Sequence, residues 1–77
     1  MEEWKAITIQ KILFLQEKYS ENKEVISILE KIKQKLDYLN LTNLPDALLT
    51  IHFSSKTIPE LSSLLPNIED IIDWYRR

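Results

Sequence analysis

The sequence predicts an all-α protein, a compact bundle of four to five short helices forming one domain over residues 1–77, on three observations. Glycine is absent and only three prolines occur, so hairpins turning on Asn-Gly are excluded, and any turn needing positive φ must use Asn, Asp or Ser. Between Glu24 and Leu39, the side chains of Val25, Leu29, Ile32, Leu36 and Leu39 recur at spacings of 4, 3, 4 and 3. On a 3.6-residue helix this makes one narrow apolar seam, widened by Ile28, with Lys31, Lys33, Gln34 and Asp37 turned away. Helix-starting residues, among them Asn22, Thr42, Asn43, Pro45 and Asn67, stand just ahead of the apolar runs.

Taken in order, residues 3–19 form the first helix. Ile7, Ile9, Ile12, Leu13, Phe14, Leu15 and Tyr19 spread around most of its circumference, which predicts a helix packed centrally or set at a partner interface. Ser20 to Lys23 is a short polar join with capping residues Ser20 and Asn22, so the first two helices are expected to pair antiparallel. After the seam helix, Thr42 or Asn43 caps a third helix from Leu44 to about Phe53, with Pro45 in its first turn. Ser54, Ser55 and Lys56 break it. Thr57 and Glu60 have the capping-box spacing and start a fourth helix through Leu61, Leu64 and Leu65, which Pro66 stops. Asn67 caps the last helix, whose acidic start (Glu69, Asp70) and basic end (Arg76, Arg77) suit the helix dipole. Its expected core face is Ile68, Ile71, Ile72 and Tyr75, with Trp74 to one side.

Seventy-seven residues allow one small core, and a 44% hydrophobic, 29% charged composition is too apolar for disorder. Ten Lys and Arg interleave with twelve Asp and Glu, for a net charge of −2 and a pI near 5.3. That leaves no broad cationic face and disfavours nucleic acid as a partner. Without cysteine there is neither a disulfide framework nor a thiolate metal site, which fits the cytoplasm. The start MEEWK is acidic, and the longest apolar run is the four residues Ile12 to Leu15, so neither a signal peptide nor a transmembrane segment is expected.

Catalysis has little to work with: one His, no Cys, and no glycine for a phosphate loop or a nucleophile elbow. His52, between Ile51 and Phe53, reads as a boundary histidine, and Ser54, Ser55 and Thr57 as loop and cap residues. Glu69, Asp70 and Asp73 read as an acidic first turn rather than a metal site, and Asn40-Leu41-Thr42 as a turn despite its sequon pattern. No catalytic residue, metal ligand or cofactor is therefore assigned. An alternative reading takes residues 44–65 as a helix-turn-helix regulator, since Ala47, Ile51, Phe53, Ile58 and Leu61 fall near its apolar spacings. Against it stand His52 and Leu48 where such turns favour small residues, Pro59 inside the would-be reading helix, and Lys56 as its single basic residue.

The large aromatics Trp4 and Trp74 lie off the obvious seams. With Tyr75, Arg76 and Arg77 they are the residues expected at a protein interface, where aromatic and Arg side chains dominate the energetics; the competing expectation for the two Trp is that they close the ends of a small core. A homodimer is a further expectation, because a two-sided first helix on so small a domain invites a second copy.

The run YSENKEVISILEKIKQKLDYLNLTNLPDALL resembles the second and third helices of bacteriocin immunity proteins of the enterocin and pediocin type. The likeness lies in an apolar first helix, an Asn-bearing join, a Lys-rich helix with Val25, Leu29, Lys31 and Leu36, and a Leu-Pro start to the next, over about residues 7–65. It implies a four-helix cytoplasmic bundle that protects a producer by binding a bacteriocin-loaded membrane receptor, with recognition towards the carboxyl terminus. The third helix is shorter than that pattern, and the likeness does not reach the tail expected of those proteins. A fainter likeness, through Leu41-Thr42, Ile58, Leu61 and Trp74, is to the helical amino-terminal domain of transcription elongation factors, without their Thr-x-Ile-Gly turn. Both imply a protein that works by binding another protein, whether an immunity protein or a transcription or phage-encoded factor.

Overall fold

The computed structural model describes residues 1–77 as four α-helices and one 3-10 helix, with no strand. They are α1 (Glu2–Lys18), α2 (Lys23–Asp37), α3 (Leu44–Ser54), a 3-10 helix (Pro59–Leu64) and α4 (Ile68–Arg76). Helix α2 forms because Asn22 caps it, its side chain accepting a hydrogen bond from Val25 N at 3.2 Å, and because its seam packs: Val25, Leu29, Ile32 and Leu36 are buried, while Ile28 and Leu39, the latter past the end of the helix, are half-buried against the core. Helix α2 packs against both α1 and α3, so α2, not α1, is the central element. Ile12 and Leu15 of α1, Ile51 of α3, and Ile58, Leu61 and Leu64 complete the core.

The first helix departs from expectation. Only Thr8, Ile12 and Leu15 are buried, while Ile7, Leu13 and Phe14 face solvent, because one helix neighbour can cover only one stripe. Thr8 brings a hydroxyl into that buried stripe with no hydrogen-bond partner, a local cost of about 1–3 kcal/mol.

The expected fourth α-helix is instead a six-residue 3-10 helix, and Thr57 does not cap it. Ile58, Leu61 and Leu64 are spaced by three, and a helix with three residues per turn aligns them on one face, where all are buried. The Ser62 and Ser63 hydroxyls donate to the carbonyls of Pro59 and Glu60, each three residues back, a local bonding pattern that competes with an α-helical ladder. Glu60, meant for the capping box, reaches across to α1 instead: Lys18 Nζ donates to it at 2.8 Å and the Tyr19 hydroxyl at 2.9 Å.

That clasp has a pH signature. The Lys18 hydrogen bond above all, with help from the Glu60 backbone and Tyr19, holds the Glu60 carboxyl down at about 2, against an ordinary 4.5. Between those values the unfolded chain binds a proton that the folded chain refuses, so the clasp stabilises the fold above about pH 4.5 and its contribution is lost as pH falls towards 2. Urea titrations at neutral and acid pH should show a smaller acid loss for Glu60→Gln than for the wild type. Equal losses would mean that the clasp does not hold in solution.

No residue has positive φ, so the connections do without left-handed residues altogether. Asn side chains brace the α2–α3 join instead. Asn40 Oδ1 accepts from the backbone N–H groups of Thr42 and Asn43, while Asn43 accepts from Asn40 N at 2.8 Å and donates to the Tyr38 carbonyl at 2.7 Å. Asn43 therefore occupies the cap position of α3 without capping it. At its far side Lys35 of α2 pairs with Asp46 of α3 at 2.6 Å.

Helix α4 is capped as expected, Asn67 accepting from Asp70 N at 2.9 Å, but its expected core face is not a core face. No α4 residue is buried. Ile71 and Trp74 are half-buried against the bundle, whereas Ile68, Ile72 and Tyr75 face solvent. The contact side is thus turned by about 80° from the side the sequence points to, at about 100° per residue. The reason is that α4 joins the bundle at its end, after α1, α2, α3 and the 3-10 helix have already closed the core. No helix of the chain is long and apolar enough to cross a membrane.

Candidate partner-binding surface

The residues singled out in the sequence fall into two groups around α4. Trp4 and Trp74 meet, their ring centroids 5.8 Å apart and tilted by 46°, and the Trp4 indole N–H donates to the Leu64 carbonyl at 2.7 Å. Both are half-buried, and their contact joins the start of α1, the end of the 3-10 helix and α4. Arg77 lies at the same shallow depression and pairs with Asp73 one turn back at 3.0 Å. On the other side of α4, the Tyr75 hydroxyl donates to the Leu41 carbonyl at 2.9 Å while its ring stays exposed. Arg76 is exposed and takes part in no ion pair.

The larger exposed apolar surface lies on α1, α4 and the α3–α4 groove, and of the residues expected at an interface it includes Tyr75. On α1, Ile7 and Phe14 are 56% and 58% exposed, and lie two turns apart on one stripe with Lys11 between them. The Lys11 ammonium sits 5.8 Å from the centre of the Phe14 ring. On α4, Ile68, Ile72 and Tyr75 are 71%, 45% and 48% exposed at i, i+4 and i+7. Between α3 and α4 runs an open groove of about 400 Å³, walled by Leu48, Leu49 and His52 on one side and by Leu65, Pro66 and Ile71 on the other. His52 is exposed at its rim, tilted against Phe53 at 5.6 Å.

This surface is apolar in character. Its members are Ile, Leu, Phe and Tyr, which offer apolar area and few groups able to move a proton. No group of three His, Cys, Asp or Glu side chains is arranged to hold a metal ion, Glu69, Asp70 and Asp73 included. Residues 59–64, within the segment that the helix-turn-helix alternative would use for reading, form a 3-10 helix that buries Leu61 and Leu64.

One signal for the α4 stripe was present in the sequence. The seam of α2, one stripe of α1 and the Ile58, Leu61, Leu64 series already supply enough aliphatic side chains for a core of this size, so a further amphipathic helix is left over. Which side of α4 docks depends on the meeting of Trp4 with Trp74, residues separated by most of the chain.

The chain matches no family model, no curated protein and no solved structure. The likeness to immunity proteins therefore rests only on the residues quoted for it.

Proposed function

We propose that this chain is a non-enzymatic helical module that acts in the cytoplasm by binding another protein stoichiometrically, and that immunity to a bacteriocin is its most specific form. The observation that carries the binding reading is the α1 stripe of Ile7 and Phe14, with Leu13 beside it, exposed on a helix whose opposite side completes the core. Large apolar side chains grouped outside a finished core mark an interaction surface more often than scattered single ones do. Trp4, Trp74 and Arg77 border this stripe at its amino-terminal end, where Ile7 shares their depression. Tyr75 and Arg76 lie beyond it on α4. The immunity form adds the sequence likeness and names the partner as a bacteriocin-loaded membrane receptor reached from the cytoplasmic side.

Two measurements test the two levels. A sensitive strain expressing the chain should survive a higher concentration of at least one member of a panel of pediocin-like bacteriocins. The double variant Ile7→Lys, Phe14→Lys should fold normally and lose that protection. Absence of protection against every member would remove the immunity form. A photo-crosslinking residue in place of Phe14 should give one defined one-to-one adduct in cells, and its absence would remove the binding reading itself.

A further inference from the structure

We propose that α4 binds the α4 of a second copy of this chain, antiparallel, about a two-fold axis that passes beside Ile72. This face is distinct from the α1 stripe, so the proposal does not rest on the heterologous partner described above. The α4 stripe of Ile68, Ile72 and Tyr75 centres on Ile72, and an isologous contact places that centre against its own copy. The two flanks of the stripe then decide whether a second copy fits.

One flank is charged and self-complementary. At about 100° per residue, Glu69 and Arg76 lie on the same side of the stripe, about 10.5 Å apart along the helix and almost evenly placed about Ile72. A two-fold axis perpendicular to the plane of an antiparallel helix pair keeps each flank on its own side. It therefore sets Glu69 opposite the Arg76 of the second copy, and Arg76 opposite its Glu69. Both residues are exposed, and neither forms an ion pair within the chain.

The other flank is apolar. It holds Ile71 and the groove that α3 lines with Leu48 and Leu49, and the same symmetry places it against itself. Charge meets opposite charge on one side, and apolar surface meets apolar surface on the other. A parallel pairing, about a two-fold axis running along the helices, would cross the flanks, setting Glu69 and Arg76 against the apolar Ile71 side and leaving both charges unpaired. A helix of nine residues buries little area alone, so the extra apolar flank from α3 is what enlarges the contact towards that of a specific dimer.

Sedimentation of the full chain over a concentration series should show a monomer–dimer equilibrium. Glu69→Arg alone and Arg76→Glu alone each create two like-charge contacts and should raise the dissociation constant by about tenfold. The double variant Glu69→Arg, Arg76→Glu restores both pairs and should recover most of the loss, with circular dichroism confirming that all three variants keep their helix content. Because the chain has no cysteine, Ile72→Cys gives a single thiol at the axis and should oxidise to a disulfide-linked dimer, whereas the exposed α2 control Ser27→Cys should not. A chain that stays monomeric at about 1 mM, including one that uses α4 to bind lipid or a different protein, overturns the proposal. So does a dimer indifferent to the charge exchange.

Discussion

Leu29→Ala should cost about 3 kcal/mol of folding stability, within the roughly 2–5 kcal/mol range for removing a large aliphatic side chain from a closed core. Leu29 is fully buried near the middle of the α2 seam, in the helix that packs against both α1 and α3. The side chains around it come from α1, α3 and the residues Ile58, Leu61 and Leu64, all packed in the same buried cluster, so they have little freedom to collapse into the space left behind. A chain of this length has a total stability of about 4–12 kcal/mol, so the variant should lose a large part of it and show an early urea midpoint. Ile72→Ala makes the contrast. The same class of substitution on the exposed face of α4 should change the monomer by less than about 0.5 kcal/mol. If the two variants were equally destabilised, the assignment of α2 as the centre and of the α4 stripe as uncovered would both be wrong.

That contrast also explains what could be read from the amino acids. The α2 seam is a local pattern in which spacing alone fixes the buried side, and Val25, Leu29, Ile32 and Leu36 are the residues that pack. Capping is equally local, and Asn22 and Asn67 act at the positions where they stand. Helix α1 was harder, because Ile7, Ile9, Leu13 and Phe14 carry as much apolar character as the residues that bury, and the choice of side is made by α2 and the 3-10 helix. The segment after Thr57 offered both a capping box and a spacing of three, and the spacing prevailed because it places Ile58, Leu61 and Leu64 in the core together. For α4, amphipathicity located the helix and its apolar side, but a side can face a core or a partner. The periodicity is the same in both cases. Of the residues expected at an interface, Trp4 and Trp74 are half-buried against each other with Arg77 exposed beside them, while Tyr75 and Arg76 lie exposed on other sides of α4.

Trp4→Ala should be as costly as Leu29→Ala, about 3 kcal/mol, the lower end of the roughly 3–5 kcal/mol expected for truncating a packed Trp, because its ring is only half-buried. Its effect should also be distributed differently. The substitution removes the ring that Trp74 packs on and leaves the Leu64 carbonyl without its indole donor, so it acts where α4 and the 3-10 helix are both attached to α1. Helix α4 has no buried residue of its own, and its one long-range hydrogen bond is the exposed one from Tyr75 to Leu41, so it is the element with least to hold it. Amide exchange should therefore rise throughout residues 68–76 before it rises in α2, and Trp74 fluorescence should shift to the red. Trp4→Phe keeps a ring against Trp74 and loses only the hydrogen bond, which should cost about 1 kcal/mol and leave α4 docked. Should the amides of α4 stay as protected in Trp4→Ala as in the wild type, the tyrosine bond would be the attachment instead, and Tyr75→Phe would then be the substitution that frees the helix.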